Sequence, residues 1–117
     1  LFDQAESYSV NEIRLLSVKS AITPAPYDYL KNQLGTASEN RLTIIRMNTP
    51  GGLVSTTKDI ISLFAKGNHP VAVWVTPEGA SAASAGSIIA SAAHFIFMAP
   101  GTNVGAATPV GLGEDIK

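Results

Sequence analysis

Apolar residues along the chain fall into short blocks separated by amphipathic stretches. Four blocks have the length and the β-branched, apolar composition of buried strands: residues 12–19, 41–47, 71–75 and 95–98. Between them, apolar side chains recur at helical spacing. This spacing predicts helices over residues 27–34, from Ser55 or Thr56 to Lys66, and from the serine-containing segment to about Ala93. Residues 1–11 and the chain from Ala99 onward lack such a pattern, and we predict irregular structure there.

The alternation of strands with single helices predicts βαβ units and a mainly parallel sheet, which is an α/β fold. Strands this apolar are expected to be covered on both faces. In such sheets ligands bind at the carboxyl ends of the strands. Two unusual loops follow strands there, Pro50-Gly51-Gly52 and Gly79 to Gly86, and they define the candidate site.

The composition of the chain excludes several classes of function. The 117 residues are 45% hydrophobic and carry a net charge of −1, so we expect one globular domain over residues 1–117 and no nucleic-acid partner. The absence of cysteine excludes a thiol nucleophile. No window reaches the roughly 18 apolar residues of a membrane span. Because the chain begins at Leu1 without a methionine, we expect it to be a processed or excised piece.

Both loops have a structural and a chemical interpretation. Pro50-Gly51-Gly52 is typical of a simple turn, but glycine also lets backbone approach a substrate and donate an N–H to an oxyanion. Its spacing does not match a phosphate-binding fingerprint. In the second loop, small residues favour close helix packing. They also leave Ser84 accessible, while Ser81 is a candidate helix N-cap and Ser87 is expected to bond to backbone.

A serine nucleophile needs a base. We expect His69 to be a solvated loop residue and His94 to lie on the far side of the sheet. The two histidines are not spaced with carboxylates as metal ligands, so neither a metal nor another cofactor is expected. A lysine base would need its pKa lowered from about 10.4 to about 7, at about 4 kcal/mol. Lys58 and Lys66 are expected to be solvated, and Glu114 and Asp115 favour the charged form of Lys117.

Three ordered motifs resemble those of the ClpP-class serine peptidases. They are residues 47–52 (MNTPGG), 79–86 (GASAASAG) and 98–106 (MAPGTNVGA). Within that class the sequence is most similar to the NfeD family, membrane-bound proteases with an extracytoplasmic protease domain. The resemblance extends from about Ile13 to Asp115.

The resemblance implies a ClpP/crotonase-type fold, with repeated β-β-α or βαβ units around a mainly parallel sheet, and a Ser-Lys dyad. It implies Ser84 as the nucleophile, the N–H groups of Gly52 and Ala85 as the oxyanion hole, and Gly51 and Gly86 as substrate-binding positions. Where ClpP has its histidine, this chain has Pro109 or a neighbour, which favours the dyad.

The family's lysine lies further along the chain than Lys117. We therefore expect the base and the last βα unit of the domain to be missing from this sequence. The alternative is that Lys117 serves as the base through a shortened loop.

By this resemblance the chain is expected to be a serine endopeptidase domain that cleaves apolar stretches of membrane-associated proteins, including stomatin-like proteins. A homodimer or larger homo-oligomer is also expected. Two other functions remain open at this point: a non-catalytic binding or assembly module on the same fold, and a crotonase-like acyl-CoA enzyme.

Overall fold

Six strands and three helices make up the computed structural model, which describes residues 12–35, 41–67 and 70–105. In chain order they are β1 (Glu12–Val18), α1 (Pro24–Gly35), β2 (Arg41–Met47), α2 (Val54–Lys66), β3 (Val71–Val75), β4 (Ser81–Ala83), α3 (Ala85–Ala92), β5 (Phe95–Met98) and β6 (Asn103–Gly105). The four strands predicted from apolar blocks are all present, and three of them have the predicted bounds.

The main sheet has the order β1-β2-β3-β5, and every neighbouring pair is parallel. Ile45 lies opposite Leu16 on one side and opposite Val73 on the other. The predicted parallel α/β fold is therefore confirmed. The carboxyl ends of β2 and β3 lie at the same edge, where the two candidate loops begin.

The core lies between one face of this sheet and the three helices. Leu16, Ile45 and Val73 contribute the sheet side of the cluster, and the helices contribute Leu30, Leu34, Ile60, Phe64 and Ile89. The expectation that both faces are covered is wrong for the outer strands. Ile13 and Phe97, on β1 and β5, are 61% and 53% exposed, because their side chains alternate to the face opposite the helices.

A second, two-stranded sheet was not predicted. It pairs β4 with β6 in parallel, and isolated bridges join Thr49 to Ala82 and Ile22 to Gly52. Its three-residue strands consist mainly of small residues and have no alternation of apolar and polar positions that a sequence pattern could reveal. The irregular structure predicted after Ala99 is thus wrong for β6, and Ser81 lies in β4 rather than at a helix N-cap.

The helix ends follow local chemistry. α1 begins earlier than predicted, at Pro24, because prolines are well tolerated in a first helical turn, where backbone N–H groups need no intrahelical acceptor. α2 begins at Val54 and ends before Gly67, as predicted within two residues. In the described part of the chain, every helix is too short or too polar to cross a bilayer.

Candidate active site

Hydrogen bonds hold the turn after β2 and leave the N–H of Gly52 without an acceptor among the residues that the structure describes. Gly51 has φ 116°, a conformation that favours glycine, and its N–H donates to Thr49 Oγ1 at 3.1 Å. The Gly51 carbonyl accepts from Ile22 N at 2.9 Å, and Leu53 N donates to Ile22 O at 3.0 Å. Because the Gly51–Gly52 peptide is trans, the N–H of Gly52 points away from Ile22.

Glycine is required at both positions because backbone passes close to backbone. A Cβ on Gly52 would lie 2.6 Å from Ile22 N. A Cβ on Gly51 would lie 2.8 Å from Ser84 Cβ and 3.3 Å from Ala85 N. The turn and the start of α3 are therefore in direct contact.

Ser84 joins β4 to α3 and has a strained backbone. Its φ of 53° and ψ of −117° make it the one non-glycine residue with positive φ among those the structure describes. Such a conformation costs about 1–3 kcal/mol and is typical of a nucleophile placed on a sharp strand-to-helix turn. The side chain is exposed, while the Ser84 carbonyl accepts from Ser87 N and Ser87 Oγ at 2.9 and 2.7 Å. The predicted backbone bond of Ser87 is thus confirmed.

Thr49 connects the two loops. Its N–H donates to Ser81 O at 2.8 Å, and its carbonyl accepts from Ala83 N at 3.1 Å. Its hydroxyl accepts from Gly51 N, so one buried residue bonds to both the glycine turn and β4. Asn48 adds a bond from Ser81 N to its Oδ1 at 3.2 Å.

A cavity of about 200 Å³ opens beside Ser84. Its lining consists of Gly52, Val54, Thr57, Lys58, Ile61, Ser84, Ala85 and Ile88. Ala85 begins α3, so its N–H has no intrahelical acceptor. Within the described residues, neither Ala85 N nor Gly52 N donates a hydrogen bond, and both border the cavity that Ser84 borders. The positive ends of α2 and α3 lie here as well, which favours developing negative charge.

His94 plays no part in this arrangement. His94 precedes β5 and accepts a hydrogen bond at Nδ1 from Val71 N, at the amino end of β3, 3.1 Å away. It therefore lies at the edge opposite Ser84, as predicted. His69 and Lys117 fall outside the described residues.

The sequence model of one protein family, described as the NfeD1b N-terminal domain, matches residues 12–115. The chain belongs to this family. The family predicted from the three motifs is thus confirmed.

Relatives of this family domain include known proteases. The chain is 37% identical over 102 residues to the membrane-bound protease PH1510 of Pyrococcus horikoshii, which covers 86% of this chain and 23% of that protein. It is similar in structure to a mutant of the stomatin-specific protease 1510-N in complex with a substrate peptide, with a TM-score of 0.76 and 35% identity. The match covers 86% of this chain and 46% of the 1510-N chain. ClpP1 from Listeria monocytogenes gives a TM-score of 0.68 at 26% identity, and the match covers 76% of this chain and 53% of the ClpP1 chain.

These likenesses confirm the ClpP-type fold. The chain spans about a quarter of the length of PH1510 and about half of the matched 1510-N chain.

The structure brings three of the predicted site residues, Gly52, Ser84 and Ala85, to the cavity. Gly51 and Gly86 do not line this cavity. Gly86 is buried, and a Cβ there would meet Thr49 Cγ2 at 2.5 Å, so this glycine permits close packing.

Two features of the site were not predicted from the sequence: Thr49, whose role depends on long-range pairing, and the face of α2 that lines the cavity. Positions 54, 57, 58 and 61 share one helical face, and this spacing could have indicated it.

Proposed function

We propose that this chain is the proteolytic domain of a serine endopeptidase in which Ser84 is the nucleophile. The supporting observation is that the strained Ser84 turn shares one cavity with two backbone N–H groups, those of Gly52 and Ala85, that have no acceptor among the described residues. The family match and the similarity to named proteases support the same activity.

In the proposed reaction, Ser84 Oγ attacks a peptide carbonyl carbon while its proton passes to a neutral lysine. The carbonyl oxygen becomes an oxyanion held by the N–H groups of Gly52 and Ala85, each worth about 10²–10³ in rate. The C–N bond then breaks, and the lysine gives its proton to the leaving amine. Water attacks the acyl-enzyme by the same route and releases Ser84.

The base is proposed to be a lysine that follows β6 in the chain. A lysine further along the whole protein is the first candidate, and Lys117, the one lysine of this sequence after Ser84, is the alternative. A lysine base needs burial in an apolar setting, whereas Lys58 borders the cavity with its side chain exposed, so it is not proposed as the base.

The substrate is proposed to be a protein segment rich in apolar residues. Val54, Ile61 and Ile88 make most of the cavity wall apolar, which suits such a side chain. Because relatives are named membrane-bound and stomatin-specific, we propose a stomatin-like membrane protein as substrate. A homo-oligomer and an extracytoplasmic location belong to the same proposal.

A fluorophosphonate probe tests the nucleophile in the full-length protein. We expect labelling of the native protein and its loss in Ser84→Ala, with peptide hydrolysis falling roughly 10⁴-fold or more. Ser91→Ala is the matched control, because Ser91 lies on α3 and its hydroxyl bonds to Ser87 O. Labelling that persists in Ser84→Ala would refute the assignment. A folded native protein that neither reacts with the probe nor cleaves peptides would support the binding-module alternative.

A further inference from the structure

A lysine side chain borders the largely apolar cavity beside Ser84. Val54, Thr57, Lys58 and Ile61 form one face of α2 that lines the cavity, at the spacing of successive helical turns. Lys58 is the one ionisable residue among the lining residues that the structure describes. Its ammonium therefore sets the sign of the side-chain charge that a bound ligand encounters.

This charge is not neutralised within the described part of the chain. The ion pair found there joins Arg14 to Glu12, at the opposite edge of the sheet, and Lys58 takes no part in it. Asp59 is adjacent in sequence, but successive helical residues are about 100° apart and do not face each other. The positive ends of α2 and α3 add potential of the same sign at this cavity.

We propose that Lys58 is a specificity-determining residue that favours peptides carrying a carboxylate next to the apolar side chain in the cavity. The inference rests on the proposed peptidase function. The apolar wall takes an aliphatic side chain, while the ammonium of Lys58 pairs with an aspartate or glutamate on a neighbouring substrate residue. A lysine or arginine at that substrate position is disfavoured by repulsion.

Matched peptides test this preference in the full-length protein. The peptides share one apolar residue at the cleavage site and carry Glu, Gln or Lys at each adjacent position in turn. Because the charges are partly solvated, we expect kcat/KM for the Glu peptide to exceed that for the Lys peptide by about fivefold at one of these positions. The ratio should shrink in about 0.5 M salt, since solvated charges are screened.

Variants of Lys58 should change this ratio in a defined order. Lys58→Arg keeps it, Lys58→Met lowers it to about twofold or less, and Lys58→Glu inverts it in favour of the Lys peptide. Lys66→Met is the control, because Lys66 is an exposed lysine in the last turn of the same helix and does not border the cavity. It should leave the ratio unchanged.

The result separates this inference from the proposed function. Peptide hydrolysis that depends on Ser84, together with a Glu/Lys ratio that is the same in native protein, Lys58→Met and Lys58→Glu, would overturn the role of Lys58 alone. Absence of Ser84-dependent hydrolysis would overturn the peptidase proposal itself. Hydrolysis with the expected order of ratios supports both.

Discussion

The two edges of the main sheet are built in different ways. At the carboxyl edge, backbone meets backbone: Gly52 lies against Ile22, Gly51 against Ser84, and Thr49 bonds to both loops. At the amino edge, long side chains hold the end of α1. Arg41 Nη2 donates to Gln33 O at 3.0 Å and Leu34 O at 3.4 Å, and Arg14 Nη1 donates to Gln33 O at 3.4 Å.

The two edges of the main sheet therefore differ in how well they tolerate substitution. Backbone contacts near 3 Å leave no space for an added methyl group, and the packed interior around them yields little. Long side chains can change rotamer when a neighbour changes. The carboxyl edge should therefore respond to single methyl groups, while the amino edge should tolerate larger substitutions.

The largest effect is expected for Gly52→Ala. The new Cβ would collide with the backbone of Ile22, which cannot move without breaking the bonds from Ile22 N to Gly51 O and from Leu53 N to Ile22 O. We expect the free energy of unfolding to fall by about 3 kcal/mol or more, measured by urea denaturation.

Gly67→Ala is the control for that substitution. Gly67 has φ −75°, and the nearest atom to a Cβ there would be Leu63 O at 3.6 Å. Alanine fits this conformation, so stability should stay the same or rise by up to about 1 kcal/mol. Equal losses in the two variants would contradict the special role of the carboxyl edge.

An intermediate effect is expected for Thr49→Val, which removes the hydroxyl but keeps the shape. The buried N–H of Gly51 then loses its acceptor, at a cost of about 1–3 kcal/mol in the free energy of unfolding. Because Gly51 touches Ser84, the rate of fluorophosphonate labelling should fall as well. Thr49→Ser retains the acceptor and should keep most of the labelling rate. If Val and Ser variants label equally fast, the hydroxyl does not position the site.

Local pattern predicted much of the fold. Strands β3 and β5 are continuous apolar segments and β2 is rich in apolar and β-branched residues, so their bounds follow from composition. Strands β4 and β6 could not be predicted in this way, because Ser81–Ala83 acquires its extended conformation by pairing with Asn103–Gly105, some twenty residues away. Sequence distance hides such pairing, and small residues carry no periodic signal.

The candidate site was also only partly predictable from local sequence. Ser84 was distinguished from Ser81 and Ser87 by its motif, and the structure places it at the strand-to-helix junction where that motif implied. Its strained φ could not be read from the residue type, since positive φ is normally the property of glycine. The contact of Gly51 with Ser84 depends on how the segment after β2 pairs with β4, through the bridge between Thr49 and Ala82.

The smallest effect is expected for Arg41→Met at the amino edge. Arg41 is completely buried; burial lowers the pKa of its guanidinium, the nearby charge of Arg14 lowers it further, and Glu12 raises it. Nε and Nη1 have no partner among the described residues, so the bonds from Nη2 are offset by the desolvation of a buried charge. Methionine fills similar volume without that cost, and Arg14 still donates to Gln33 O.

Urea denaturation of Arg41→Met should show a loss of about 1 kcal/mol or less in the free energy of unfolding, with an unchanged rate of fluorophosphonate labelling. A loss above about 3 kcal/mol, or a slower labelling rate, would show that the amino edge is as constrained as the carboxyl edge, because substitution of one adaptable side chain would then disturb the whole sheet.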